Sequence, residues 1–349
     1  MRRCRSRCGS VLSGPTAPRR GSAWTARTRP GTSMCCYWTR RWRHTASTAR
    51  PGPPLRFRAC FAVFPRPVRL EDDLTSDDRL HLMAHDADLF NRWDSAQMLA
   101  TDAILALAAG EAAMIDRLAG GYRRILADDA LLDDFKAGCT RLPGQAVLEA
   151  ARRPADPVAL FQARRDLMTA LGHEMAPQIA AALADSRMTA TAGGRALVMQ
   201  LLELGVAAGD ADAIAAAETM AADVNMTISQ GALKALNQCG DEARIRALAA
   251  FHDRWQDNAL VMEKWFQMES MSSIGGSIDR LEELMRHPGF DPKNPNKLRA
   301  VLGAFMMGNT PRFHAADGSG YGFIADQLIE IDRRNPQVAA RMALPMTRM

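Results

Sequence analysis

From Ser76 onward one pattern recurs, an apolar helical face closed by a short break rich in Gly, Pro, Asn or Asp, and it restricts the chain to an all-α architecture. Thr75 with Asp78 has capping-box spacing, and Leu80, Met83, Ala84 and Ala87 follow at i, i+3, i+4 and i+7. Trp93 to Leu107 continues with Met98, Leu99, Ile104 and Leu105 facing inward. Further helices are expected at about 111–127, 130–138, 158–171, 174–184, 195–208, 211–222, 226–238, 241–256, 259–270, 277–286, 294–306, 321–333 and 336–343. Ala, Leu and Met dominate, which favours helix and leaves few β-branched residues for a sheet. The stretch 61–71 alone reads as a strand, and Pro65 and Pro67 confine it to an edge or a bulge. No fixed internal period is present. The expected fold over 72–349 is therefore an irregular α-helical superhelix, a HEAT- or armadillo-like stack of antiparallel helices, rather than a true tandem repeat.

Charge divides the chain in two. Residues 1–70 hold 16 Arg and no Asp, Glu or Lys, so the rest has 44 − 16 = 28 basic against 39 acidic residues, a net −11. A body of that sign repels phosphate backbones, which makes nucleic acid an unlikely partner and confines any such reading to the basic arm. The arm also carries Cys4, Cys8, Cys35, Cys36 and Cys60 and shows neither a helical nor a strand period. That mixture suits neither a folded nor a disordered segment, and an out-of-frame reading of GC-rich DNA accounts for it better. Codons compatible with Cys35 to Arg43, read one base earlier, give Val-Leu-Leu-Leu-Asp-Glu-Thr-Val-Glu, an ordinary mixture; resequencing the coding DNA tests this. A genuine basic tail or a targeting segment are the alternatives. Arg2-Arg3 resembles a twin-Arg signal, but no apolar stretch of signal length follows. No run approaches the ~20 apolar residues of a membrane helix, so no membrane partner is expected. Cys139 and Cys239 have neither metal-like nor disulfide-framework spacing and read as free thiols of a cytoplasmic protein.

The sequence holds no complete catalytic motif. Zinc peptidases place two histidines at i and i+4 with a glutamate beside the first. His81 and His85 have the spacing, but Leu82 stands where the base belongs. His173-Glu174 has the first half, but Pro177 replaces the second ligand. Both read as surface or helix-end histidines. The body has no Gly-x-Ser-x-Gly elbow and no credible Cys/His pair. Gly318-Ser319-Gly320-Tyr321-Gly322 lacks the preceding strand and the Lys-Ser/Thr of a phosphate loop; a helix entry capped by Asp317 or Ser319, with Tyr321 packed behind, is expected instead. Trp93, Trp255 and Trp265-Phe266 read as core anchors.

Several motifs, in order, carry a family resemblance: Pro67 to Leu70, Arg92 to Gln97, Gly231 to Leu236, Trp255 to Asn258, Val261 to Phe266, Asn294 to Phe305, Phe313 to Tyr321, and Arg334 to Ala339. Over about residues 64–349 the chain resembles the C-terminal helical domain of bacterial aminopeptidase N, a gluzincin zinc metallopeptidase family. The resemblance implies a fragment of a cytoplasmic zinc-dependent alanyl aminopeptidase. In the intact enzyme this domain caps the active site and lines the peptide cavity. Residues 61–71 resemble the last strand of the family's β-sandwich domain, leaving 1–60 as the arm and 72–349 as the helical domain, truncated at its C-terminus. The family's His-Glu-x-x-His and Gly-x-Met-Glu-Asn motifs are absent, so zinc belongs to the intact enzyme, this chain alone carries no cofactor, and independent catalysis is not expected. Arg299 and Arg341 are similar to positions where the family presents basic side chains to the cavity. A surface salt bridge for Arg299, and a charge favoured by the helix dipole for Arg341, are the plainer roles. A separately made catalytic fragment is one conceivable partner. An autonomous helical interaction scaffold, or an adaptor binding nucleic acid through the arm, are the competing readings.

Overall fold

The computed structural model describes residues 72–240, 242–274 and 277–348; the basic arm and the expected strand at 61–71 lie outside them. The described residues form an all-α superhelix with no strand. The first half comprises α1 (Ser76–His85), α2 (Leu89–Ala108), α3 (Ile115–Ala127), α4 (Asp133–Thr140), α5 (Gln145–Ala151), α6 (Pro157–Glu174) and α7 (Ala176–Ala184). The centre is α8 (Ala192–Ala207). Beyond it come α9 (Ala211–Ala221), α10 (Met226–Leu236), α11 (Glu242–Trp255), α12 (Ala259–Met271), α13 (Ile278–Arg286), α14 (Pro295–Leu298), α15 (Ala304–Gly308), α16 (Thr310–Phe313), α17 (Ser319–Asp332) and α18 (Pro336–Met342).

The boundaries follow from side chains that take up orphan amides. Asp88 accepts from the N–H groups of Phe90 and Asn91 at the start of α2, Asp156 does the same for Val158 and Ala159 at α6, and Asn258 for Leu260 and Val261 at α12. Proline stands in the first turn of α6, α7, α14 and α18, where its missing N–H costs nothing.

Two apolar cores meet at α8, which is buried all round from Gln200 to Val206 as a central helix must be. Leu197, Leu201 and Leu204 enter the first core with Leu118, Ile125, Leu167 and Leu171. Leu202 and Val206 enter the second, with Leu233, Phe251, Phe266, Val301 and Phe305. Packing against α8 is close at Gly172 of α6, where an added Cβ would lie 2.3 Å from the Leu204 carbonyl oxygen. Later in the chain, α16 returns to pack on α6.

Local expectations and structure differ in places. α1 stops at His85, so Ala87 is an exposed connector. Trp93 is not a core anchor: it lies at the surface against Phe90, ring centroids 5.6 Å apart. Trp265 is buried, and its indole N–H donates to the Leu248 carbonyl at 3.1 Å.

Candidate functional site

The expected helix at 294–306 is present as three joined pieces, α14, a π-helical turn at Arg299–Gly303, and α15. The Asn294 carboxamide accepts from Asn296 N–H at 2.9 Å, and Pro295 sets the first turn. Lys297 then points inward. Its ammonium donates to the Ala259 carbonyl at 2.8 Å and lies 5.2 Å from the centroid of the Phe266 ring. Burial pulls its pKa down, while Glu263 acts in the opposite direction.

Arg299 opens the π-turn and is exposed; its guanidinium donates to Asn296 Oδ1 at 3.1 Å. The pairing residue is an amide, so the surface salt bridge anticipated for Arg299 gives way to a hydrogen bond from the charged guanidinium to a neutral acceptor. Arg341 lies exposed in the last turn of α18. No hydrogen bond or ion pair joins the two arginines among the described residues. Each presents a charged group to solvent from the second half of the superhelix.

The Phe313 to Tyr321 block forms a compact polar and aromatic knot. Asp317 Oδ1 accepts from both the N–H and the hydroxyl of Ser319, at 2.9 and 2.7 Å, and Gly318 takes the left-handed φ of +73° that starts α17. Gly320 cannot carry a side chain, since a Cβ there would lie 2.4 Å from the Arg312 carbonyl oxygen. Tyr321 packs edge-on against Phe313, and its hydroxyl lies 2.6 Å from His314 Nδ1. Burial depresses the His314 pKa against the opposing charges of Glu149 and Asp156, contributed by the first half.

The zinc look-alikes are helix-surface features. His81 and His85 face each other on α1 with ring centroids 5.0 Å apart, and Leu82 lies between them in sequence. His173 is exposed near the end of α6, Glu174 is paired with Arg123 at 3.3 Å, and Pro177 starts α7. Among the described residues no three His, Cys, Asp or Glu side chains converge as a ligand set. These residues do not fit a catalytic zinc.

Two polar clusters carried no sequence signal. Arg244 and Arg280 converge on Glu269, at 3.5 and 3.1 Å. His252 and His287, 35 positions apart, bring their Nε2 atoms to 3.0 Å. Partners this distant have no period linking them.

A family model described as DUF3458_C, a domain of unknown function with ARM repeats, matches residues 76–349. Aminopeptidase N of Caulobacter vibrioides is 35% identical over 306 residues, 85% of this chain and 35% of that protein. Aminopeptidase N of Escherichia coli is 30% identical over 306 residues, 83% of this chain and 35% of that protein. The chain thus spans about a third of the length of the curated relatives it matches. The crystal structure of Legionella pneumophila aminopeptidase A in complex with aspartic acid aligns with a TM-score of 0.69 at 26% identity, covering 80% of this chain and 35% of that one.

Proposed function

We propose that this chain, which belongs to the DUF3458_C family of ARM-repeat domains and is a C-terminal helical domain of the aminopeptidase N kind, serves as the cap of a zinc-dependent alanyl aminopeptidase. In the intact enzyme it closes over the catalytic domain and lines the cavity that receives the peptide. The observation that carries this reading is the unbroken family match over 76–349, set against coverage of 35% of each full-length relative. The chemistry then resides in the catalytic domain of the enzyme, whose zinc these residues do not bind.

Arg299 and Arg341 are the cavity residues in this reading. Both are exposed cations, and Arg299 sits on a π-turn, a distortion frequent at functional sites. A guanidinium facing the cavity steers a peptide carboxylate by a charge-assisted bond. A cytoplasmic location accords with the free thiols of Cys139 and Cys239, and no helix among the described residues is long and apolar enough to cross a membrane. Neither nucleic acid nor lipid is needed for the role.

The test measures hydrolysis of an alanyl anilide and of short alanyl peptides by the pure chain, by a separately expressed catalytic portion of the Caulobacter relative, and by the mixture. The chain alone is expected to be inactive and the mixture more active than the catalytic portion. Arg299→Ala and Arg341→Ala should each raise KM for peptides with a free carboxylate by about tenfold, on the scale of one charge-assisted bond, and leave the anilide unaffected. Zinc-dependent turnover by the chain alone, or a mixture no better than the catalytic portion, defeats the proposal.

A further inference from the structure

We propose that His252 and His287 form an acid-sensitive clasp, tying α11 to the turn between α13 and α14 and opening when the pair takes up one proton. The two Nε2 atoms are 3.0 Å apart and the rings stand nearly perpendicular, at 86°. The Gly289 backbone N–H donates to His287 Nδ1 at 2.9 Å. That nitrogen therefore holds a lone pair, and the proton of the neutral ring sits on Nε2. His252 Nε2 must then accept it, which leaves the His252 proton on Nδ1, 3.2 Å from Asp253 Oδ1. One arrangement of protons satisfies all three contacts, and both rings are neutral in it. The same arrangement leaves His287 Nε2 without a free lone pair, so a cation bridging the rings would have to break the Gly289 bond.

An added proton has two places to go. On His252 Nε2 it meets the His287 N–H and removes the bond between the rings. On His287 Nδ1 it displaces the Gly289 donor. Shifting the remaining His287 proton to Nδ1 restores the first bond only by losing the second.

Burial and two nearby cations oppose a charge on His287, while one anion faces His252. Trp265 on α12 lies 4.8 Å from His252 and 5.4 Å from His287 between ring centroids, and Phe266 lies 5.4 Å from His287. Arg280 of α13, held by Glu269 and Glu283, and Lys297 of α14 are the neighbouring cations; Asp253 of α11, which accepts from His252, is the neighbouring anion. Burial, His252 and these cations together hold the His287 pKa below its ordinary value. The clasp holds the turn that carries Phe290, which is buried against Phe266 between α13 and α14.

The experiment is NMR on the full chain labelled with ¹⁵N-histidine, together with amide exchange. At about pH 8, where histidines are neutral, His287 should be the Nε2–H tautomer and His252 the Nδ1–H tautomer. On acidification the bond between the rings should be lost, and the Gly289 amide should lose about tenfold of its protection factor over the same interval, as expected for a hydrogen bond opened by one proton. In His252→Phe, which keeps an aromatic ring in place, the His287 midpoint should move up. The opposite tautomers, Gly289 protection that persists once the bond between the rings is lost, or an unmoved His287 midpoint in the variant would each overturn the proposal. Should the variant fail to fold, the tautomers and exchange of the unaltered chain decide alone.

Discussion

A buried charge is tolerated here only because its partners are in place. Glu269 is 9% exposed, and it compensates the equally buried Arg244, which also donates to Asn237 Oδ1 at 2.8 Å. Glu269→Ala would leave the Arg244 guanidinium uncompensated and should cost about 3–5 kcal/mol of stability in urea unfolding, the range for breaking one side of a buried pair. Glu269→Gln keeps an acceptor and should lose less. Tyr122 poses the reverse case. Its ring is fully buried, its hydroxyl has no hydrogen-bond partner among the described residues, and desolvation raises its pKa far above the ordinary value. Tyr122→Phe removes an unsatisfied group without opening a cavity and should leave the chain as stable or more stable by about 1 kcal/mol; a clear loss in the same assay would mean that the hydroxyl has a role. Neither cluster was legible in the sequence, because the Arg244–Glu269 and Tyr122 environments are assembled from separate helices. Asp317, Ser319 and Tyr321 were legible, because their contacts are made within a few residues.

At the scale of elements, punctuation proved a better guide than length. The expected segments 111–127, 158–171 and 259–270 lie on α3, α6 and α12; the start at 259 coincides with the helix that Asn258 caps, whereas α3 begins four residues later than expected, after Met114, which makes no side-chain cap. The short helices α5 and α16 escaped notice because seven or four residues offer too little repeat to distinguish from a loop. The π-turn escaped too, since its apolar residues fit an ordinary helix as well. Nor did the sequence point to Gly172 as a crossing point. An added Cβ there would lie 2.3 Å from the Leu204 carbonyl oxygen and 2.7 Å from Ala208 Cβ. Backbone cannot rotate aside as a flexible side chain can, so Gly172→Ala must push α6 off α8. It should lower stability by about 1–3 kcal/mol, despite alanine's better helix propensity. A thermal midpoint equal to or above that of the unaltered chain would show that the two helices separate freely.

Across the whole molecule, two cores share α8 and the late helix α16 packs on α6, so local losses of charge balance are felt as a change in the stability of the fold. His287 and His314 both have folded-state pKa values below the ordinary 6.5, chiefly through burial. The unfolded chain therefore binds more protons than the folded chain once pH falls below about 6.5. Stability associated with these neutral rings is fully present above that value, declines as pH falls through it, and stops declining below the folded-state values. The half-buried carboxylates of Asp185 and Glu218 and the exposed one of Asp317 are held below their ordinary values by hydrogen bonds and act in a separate, more acidic window. Urea midpoints taken from about pH 8 down to pH 5 should thus fall before the carboxylates begin to titrate. The paired substitution His287→Phe and His314→Phe should flatten that first fall while leaving the more acidic one. A midpoint constant from pH 8 to 5, or a fall unchanged by the paired substitution, would place the acid sensitivity elsewhere in the chain.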